Sequence, residues 1–304
     1  MATSNPIVSS ISGYVENRGE ELLVASVLGA RSAKMFDLMT GLKGDTKINF
    51  METNPILKDG SACGWSESGT TEFTDRLIQP KHLAVQMAFC EKNLLKTVHQ
   101  HEVKIGAGLE KLPFEEKWTN NIADKIAAAV ERMIYFGQSG QTNEFEGLIS
   151  ILNAASAVTT NVNAESGTSA YAFLKEVALA IPAQVKDPVI LCSVSLYREY
   201  IQDLVSSNLY HYDPANGEDG YKLPGTDIRV LGVEGLIPAV ADANDYAIAA
   251  NLENLTYGVD LEDDEERFDI WYSKDNQEFR LNCEFLAGVQ VKFPAEVVFA
   301  TRPR

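Results

Sequence analysis

Basic residues are scarce in this 304-residue sequence: 26 Lys and Arg stand against 43 Asp and Glu, a net charge of −17. A protein that coats nucleic acid needs a basic excess to neutralise phosphates, so that class is excluded. Cysteines are few as well. Cys63, Cys90, Cys192 and Cys283 lie 27, 102 and 91 residues apart. Zinc sites want short paired spacings and disulfide scaffolds want dense cysteines, so reduced, half-buried thiols in a reducing compartment are expected. No apolar run approaches the ~18–20 residues that a membrane helix needs. The opening stretch, MATSNPIVSSISGYVENRGEE, has neither the basic start nor the apolar core of a secretory signal, which predicts a soluble protein made in the cytosol. What is present is globular in character. Hydrophobic residues make up 45%, aromatics 9% and charged residues 23%, enough to fill about two packed units.

The acidity is concentrated. Residues 1–140 carry 15 basic and 17 acidic side chains, whereas 210–275 carry four and 16. The densest run, Asp260 to Glu266, has six acids in seven positions and reads as a solvated loop. The stretch from Asp213 to Gly220 fits a calcium loop only loosely, lacking the regular alternation of acids.

Along the chain, residues 1–12 read as a polar arm. Leu22, Leu23, Val27, Met35, Phe36 and Met39 then predict a helix within 18–39, closed by Gly41. The stretch 43–80 is poor in large apolar residues. Two strands, Thr46–Glu52 and Thr70–Ile78, flank a Gly- and Ser-rich tip containing Lys58 and Trp65. Such a long hairpin is barely stable alone in water and must lie against something else; a partner subunit anchored by Trp65 is the expected choice. A strand over His82–Phe89 and a helix over Glu91–His101 follow. Pro113 to Tyr135 is then a strong helix, with Glu115 and Glu116 at its positive end and Gly137 as terminator. Trp118, Ile122, Ile126, Val130, Met133 and Ile134 give it one apolar stripe, and at 1.5 Å per residue it forms a spine of about 35 Å.

The second half alternates. Helices are expected over Ser169–Ile181 and Leu196–Ser206, and a buried strand over Pro188–Cys192. Strands follow at Asp227–Val233, Tyr246–Ala250, Phe268–Trp271, 279–285, 289–293 and Val297–Phe299. The layout is α+β, in two lobes with one extended arm.

Catalytic constellations are not legible. His82, His99, His101 and His211 show no i, i+4 metal pair and no HExxH. Nucleophile-elbow, phosphate-loop and dinucleotide glycine patterns are missing; Gly106-Ala-Gly108 is the nearest approach and has no third glycine. No catalytic, cofactor-binding or metal residue is assigned. Loop aromatics say more: Tyr210, Tyr212 and Tyr221 sit among Gly, Pro and acids, where either a subunit interface or local packing under a long loop would use them.

This order of elements has a family resemblance. Arm, hairpin around Lys58–Trp65, spine helix, the Phe145-Glu146-Gly147-Leu148 exit, a helix–strand–helix lobe and the closing run from Phe285 to Val298 together resemble a major capsid protein of tailed bacteriophages, of the HK97-type fold. Gly41-Leu-Lys-Gly44, Cys63-Gly64-Trp65 and Phe89-Cys90 are similar to capsid proteins of short-tailed phages, crAss-like ones included. The resemblance implies 1–43 as arm and helix, 44–80 as extended loop over a neighbour, and 81–150 as peripheral domain with the spine helix. It implies 151–250 as axial domain and 251–304 as return strands of the peripheral domain. Lys58, Trp65, Phe73, Tyr210, Tyr212 and Tyr221 would be interface residues, with the 208–225 loop near the five-fold and six-fold axes.

The implied function is structural: many copies, as pentamers and hexamers, form an icosahedral head shell in the virion, assembled in the host cytoplasm. Implied partners are the chain itself, a portal, and a separate scaffolding or decoration protein. DNA would be enclosed without sequence-specific contacts, with acids on the wall keeping it mobile; no membrane and no cofactor are implied. The hairpin and spine begin too early for the cleaved helical scaffolding region of some members. Others cross-link a hairpin Lys to an Asn; Lys58 and Asn282 are of the right types, but no motif matches. Two other readings stand beside this one. An encapsulin-like compartment would share the fold, and a cytosolic α/β enzyme or ligand-binding protein would not.

Overall fold

The computed structural model describes residues 24–57, 69–90, 114–156, 158–209, 221–239, 243–260, 268–276 and 278–304. The expected helix over 91–101, the hairpin tip with Lys58 and Trp65, the loop with Tyr210 and Tyr212, the loose calcium pattern of 213–220 and most of the acidic run lie outside them.

The helix expected within 18–39 is interrupted. Residues 24–27 are helical, a short α1 spans Arg31–Met35, and Asp37–Met39 is a strand, β1. Gly29 marks the break: a Cβ there would stand 2.0 Å from the Ala25 carbonyl oxygen and 3.0 Å from Ala127 Cβ. Close approach to the spine helix sets the path at this point. The backbone of β1 then pairs in parallel with β10 (Leu255–Asp260), a partner no local pattern announces.

The spine is α2, Phe114–Phe136. Its stripe buries Ile122, Ile126, Val130 and Ile134, and its end is closed by the Gly137 N–H, which donates to Met133 O at 3.0 Å. Next comes α3, Leu148–Ala154.

One sheet is organised by β12, Glu278–Val291, a single 14-residue strand where two were expected. Along one edge it pairs with β11 (Phe268–Ser273) and then β10. Along the other it pairs with β4 (Lys81–Cys90). Asp260, the last residue of β10, is buried, so the acidic run begins inside the sheet rather than in water.

A second, six-stranded sheet has the order β5-β13-β9-β6-β8-β7. These are Thr160–Asn163, Val298–Pro303, Asn244–Ala250, Val189–Ser193, Arg229–Val233 and Tyr221–Lys222. All five residues of β6 are buried. Val189 and Leu191 face the cluster shared with the spine helix, whereas Ile190 and Cys192 face the cluster under α4 (Ala170–Ala180) and α5 (Val194–Ser206). A strand covered on both faces loses alternation and reads as a continuous apolar run. Ser169 and Ser193 cap the two helices through Oγ, accepting from Ala172 N and Leu196 N.

Candidate subunit interface

The hairpin is formed by β2 (Thr46–Pro55) and β3 (Gly69–Ile78), antiparallel and in register from Thr46–Ile78 to Pro55–Gly69. Its strands run three residues further toward the tip than the apolar pattern suggested in β2. Among the described residues, the contacts with the body gather at its base. Ile78 is fully buried beside Leu42, and Gln290 Nε2 donates to Leu77 O at 2.6 Å. The Phe50 ring lies 4.8 Å from that of Phe293.

Beyond that base, described apolar side chains stand exposed. Met51 and Phe73 are directly opposed across the strands and are 64% and 77% exposed. Ile56 and Leu57 are 62% and 98% exposed. Isolated apolar residues on a surface need no explanation, but two opposed on a two-stranded ribbon, with two more just past the end of β2, do. Such a ribbon has no core of its own, and its cross-strand pairs contribute only tenths of a kcal/mol to about 1 kcal/mol each. The exposed Lys47–Asp75 ion pair, at 2.5 Å, adds little more.

Of the residues singled out in the sequence, Phe73 stands free on this ribbon. Tyr221 is half-buried in β7, packed on one side against the core of the second lobe. Lys58, Trp65, Tyr210 and Tyr212 lie outside the described residues. Asn282 sits on β12, accepting from Gln86 Nε2 at 3.3 Å and donating to Glu284 at 2.9 Å. Met51, Ile56 and Leu57 were missed. Their signal was present as three apolar residues in a polar stretch, but with no core in reach nothing required them to be noticed.

The buried ionisable groups hold chain segments together. Glu131 on the spine accepts from Ser32 N at 2.9 Å and from Ser32 Oγ at 2.6 Å, and Ser32 Oγ lies 2.6 Å from Tyr135 Oη. Burial pushes the Glu131 carboxyl above the usual range, and Tyr135 well above its own. Near the chain's end, Arg302 Nη2 donates to Asp245 at 2.6 Å and to Glu199 at 2.7 Å, and Arg304 Nε donates to Asp245 at 2.8 Å. Cys192 and Cys283 are buried free thiols, the latter pushed up to about 12 by burial. Such thiols are poor nucleophiles. Among the described residues, no three His, Cys, Asp or Glu side chains gather as a metal site, and no helix is long and apolar enough to cross a membrane.

No family model matches the sequence, and no curated protein does. Solved structures match almost end to end. The capsid of the native GTA particle aligns over 92% of this chain and 91% of that one, at 14% identity and a TM-score of 0.58. The satellite phage P4 procapsid, which includes a size determination protein, aligns over 99% and 92%, at 10% identity and a TM-score of 0.60. A chain of Gordonia phage Cozz aligns over 90% and 86%, at 12% identity and a TM-score of 0.62. At these identities the shared property is the fold: this chain has the HK97-type α+β architecture.

Proposed function

We propose that the chain is a shell subunit: a major capsid protein that assembles in many copies into the icosahedral head of a tailed phage. The observation that carries this reading is the hairpin. A ribbon whose described contacts gather at its base, with Met51, Ile56, Leu57 and Phe73 in water, is stable and useful when a second copy covers it. A whole-chain fold shared with capsid structures supports the same reading.

On this reading 1–43 is the arm and its helix, and 44–80 is the extended loop over the neighbouring subunit. Residues 81–150 and 251–304 form the peripheral domain, although β13 lies in the sheet of the axial domain, 151–250. The 208–225 loop approaches the symmetry axes. The chain's partners are then further copies in pentamers and hexamers, a portal, and a separate scaffolding or decoration protein. The P4 procapsid, whose chain shares this fold, includes a size determination protein beside it. The shell assembles in the host cytoplasm, and DNA is enclosed by acidic walls that do not hold it tightly.

Light scattering of the purified full chain, with negative-stain images of the same fraction, tests this. Closed shells or rings of five and six are expected, with or without co-expressed neighbouring genes. Replacing Met51–Phe73 by Asn-Gly, which leaves the Phe50–Thr74 pair as the last rung, should release soluble monomers or capsomers. A chain that stays monomeric even beside its co-expressed neighbours would overturn the reading.

A further inference from the structure

A buried carboxyl sits where the segment 24–36 crosses the spine helix. Two adjacent residues of α1 hold different parts of the molecule there. Arg31 Nη1 donates to Gly232 O of β8, in the second sheet, at 3.1 Å, whereas Ser32 is bonded to Glu131 of the spine. Nearby, Val27 O accepts from Tyr257 Oη of β10 at 3.3 Å, and the Phe36 ring meets that of Tyr135 edge-on. We propose that residues 24–36 form a strap that is held on the spine helix while Glu131 carries a proton and is released when Glu131 ionises. The proposal does not rest on the shell reading, because every contact lies within one chain.

The geometry gives the strap two states. A serine hydroxyl has one proton to give, and Ser32 Oγ lies 2.6 Å from both Glu131 Oε1 and Tyr135 Oη. With Glu131 ionised, Tyr135 must donate to Ser32, and Ser32 to the carboxylate. With Glu131 protonated, the chain runs the other way: Glu131 donates to Ser32, and Ser32 to Tyr135. In both states the Ser32 N–H donates to the second carboxyl oxygen, at 2.9 Å.

The surroundings favour the neutral form. Glu131 is 5% exposed and Ser32 is fully buried. Arg31 of α1 supplies positive charge, but its guanidinium is bonded to Gly232 O, and Glu234, just past β8, opposes it with a like charge to Glu131. Tyr257 of β10 faces the same carboxyl, and its hydroxyl is pushed up by burial first and by Glu131 second. Asp124 of the spine and Tyr197 and Arg198 of α5 line the same cavity as Glu131. The backbone on the far side is fixed: a Cβ on Gly235 would stand 2.3 Å from Glu131 O. A carboxylate here lacks the water that the two Ser32 donors only partly replace, and lifting the strap restores it. Burial is the main cause that holds the docked carboxyl above its ordinary value, so docking is firm at low pH and is lost as pH rises through the docked-state value. Because Arg31 leaves with Ser32, release also frees Gly232 of β8. One proton thus governs how firmly the strap ties the spine to the second sheet.

The test is hydrogen exchange of the full-length chain from pH 5 to pH 8, corrected for the intrinsic exchange rate at each pH. Amides of 24–36 should lose protection at least about threefold over that range, while those of β6 and α4 hold theirs. Glu131→Gln, which can donate to Ser32 but cannot ionise, should keep the acid-end protection throughout. Two further variants should move the midpoint in opposite directions. Arg31→Met removes a cation that favours the carboxylate and should raise it; Glu234→Gln removes an acid that disfavours the carboxylate and should lower it. Flat protection of 24–36 in the parent overturns the proposal, as does a Glu131→Gln chain that loosens in step with it. A loss spread evenly over the whole chain also overturns it, since that is general charge repulsion rather than release of a strap. So do midpoints that Arg31→Met and Glu234→Gln leave in place.

Discussion

Gly147 donates its backbone N–H to the carbonyl of Gly137 at 2.9 Å, joining the start of α3 to the end of the spine helix. The two backbones are in contact with no room for a side chain between them. A Cβ on Gly147 would stand 2.6 Å from Gly137 N and 2.7 Å from Tyr135 O, and these are backbone atoms that cannot swing aside. Gly147→Ala is therefore expected to cost about 3 kcal/mol, the upper part of the usual overpacking range. The denaturant midpoint measures it. A loss within about 0.5 kcal/mol would mean that the joint yields freely.

Asp245 is 2% exposed and serves two arginines at once, Arg302 through one oxygen and Arg304 through the other. Replacing it leaves the Arg302 guanidinium buried with Glu199, the Thr168 carbonyl and the face of the Phe173 ring, and with one carboxylate fewer. Asp245→Ala should lose about 3–5 kcal/mol, because an uncompensated buried charge costs more than the pair contributes. Adding Arg302→Met should recover most of that loss. If the double variant is as unstable as the single one, the pair is not the source of the penalty.

Elements with one covered face were legible in the sequence, and elements defined by a distant partner were not. The spine helix, α4 and α5 carry apolar stripes and caps within their own residues, so their positions could be read to within a residue or two. β1 and β5 have three and four residues, and each is held by a parallel partner, β10 and β13. Nothing local distinguishes them from loop. β12 was read as two strands because alternation lapses at Leu286, Ala287 and Gly288, all buried. There the hairpin base covers the second face: a Cβ on Gly288 would come 3.0 Å from Pro80 Cα. The candidate interface was legible as a segment, since 43–80 has no core of its own. Its free apolar residues were not, since exposure is decided by what the ribbon fails to touch.

Glu131 gives the fold a dependence on pH of known sign. Burial is the main cause that raises its carboxyl above the ordinary value of 4.5, partly offset by the Ser32 hydrogen bonds and by Arg31. A group raised in the folded state contributes stability that is fully present below its unfolded value and lost as pH rises through the folded one. Glu131→Gln keeps a donor and an acceptor for Ser32 but cannot ionise. The variant's unfolding free energy, relative to the parent, should therefore increase from pH 4.5 to pH 7. A difference that stays flat across this window would show that Glu131 titrates alike folded and unfolded.

Phe73 separates folding from assembly. Its ring is 77% exposed on the outer half of the hairpin, so the isolated chain gains little from it. Phe73→Asp should leave the thermal midpoint of unassembled chains unchanged, within the ±0.5 kcal/mol typical of surface substitutions. The same change places a charge where a neighbouring copy would bury an aromatic ring, which interfaces penalise strongly. Shells or rings should then be replaced by smaller species in light scattering and negative stain. A variant that folds normally and still forms particles at the parent's concentration would show that this face of the ribbon remains in water after assembly. The covered face would then be the one carrying Ile48 and Phe50, already turned toward Phe293 at its base.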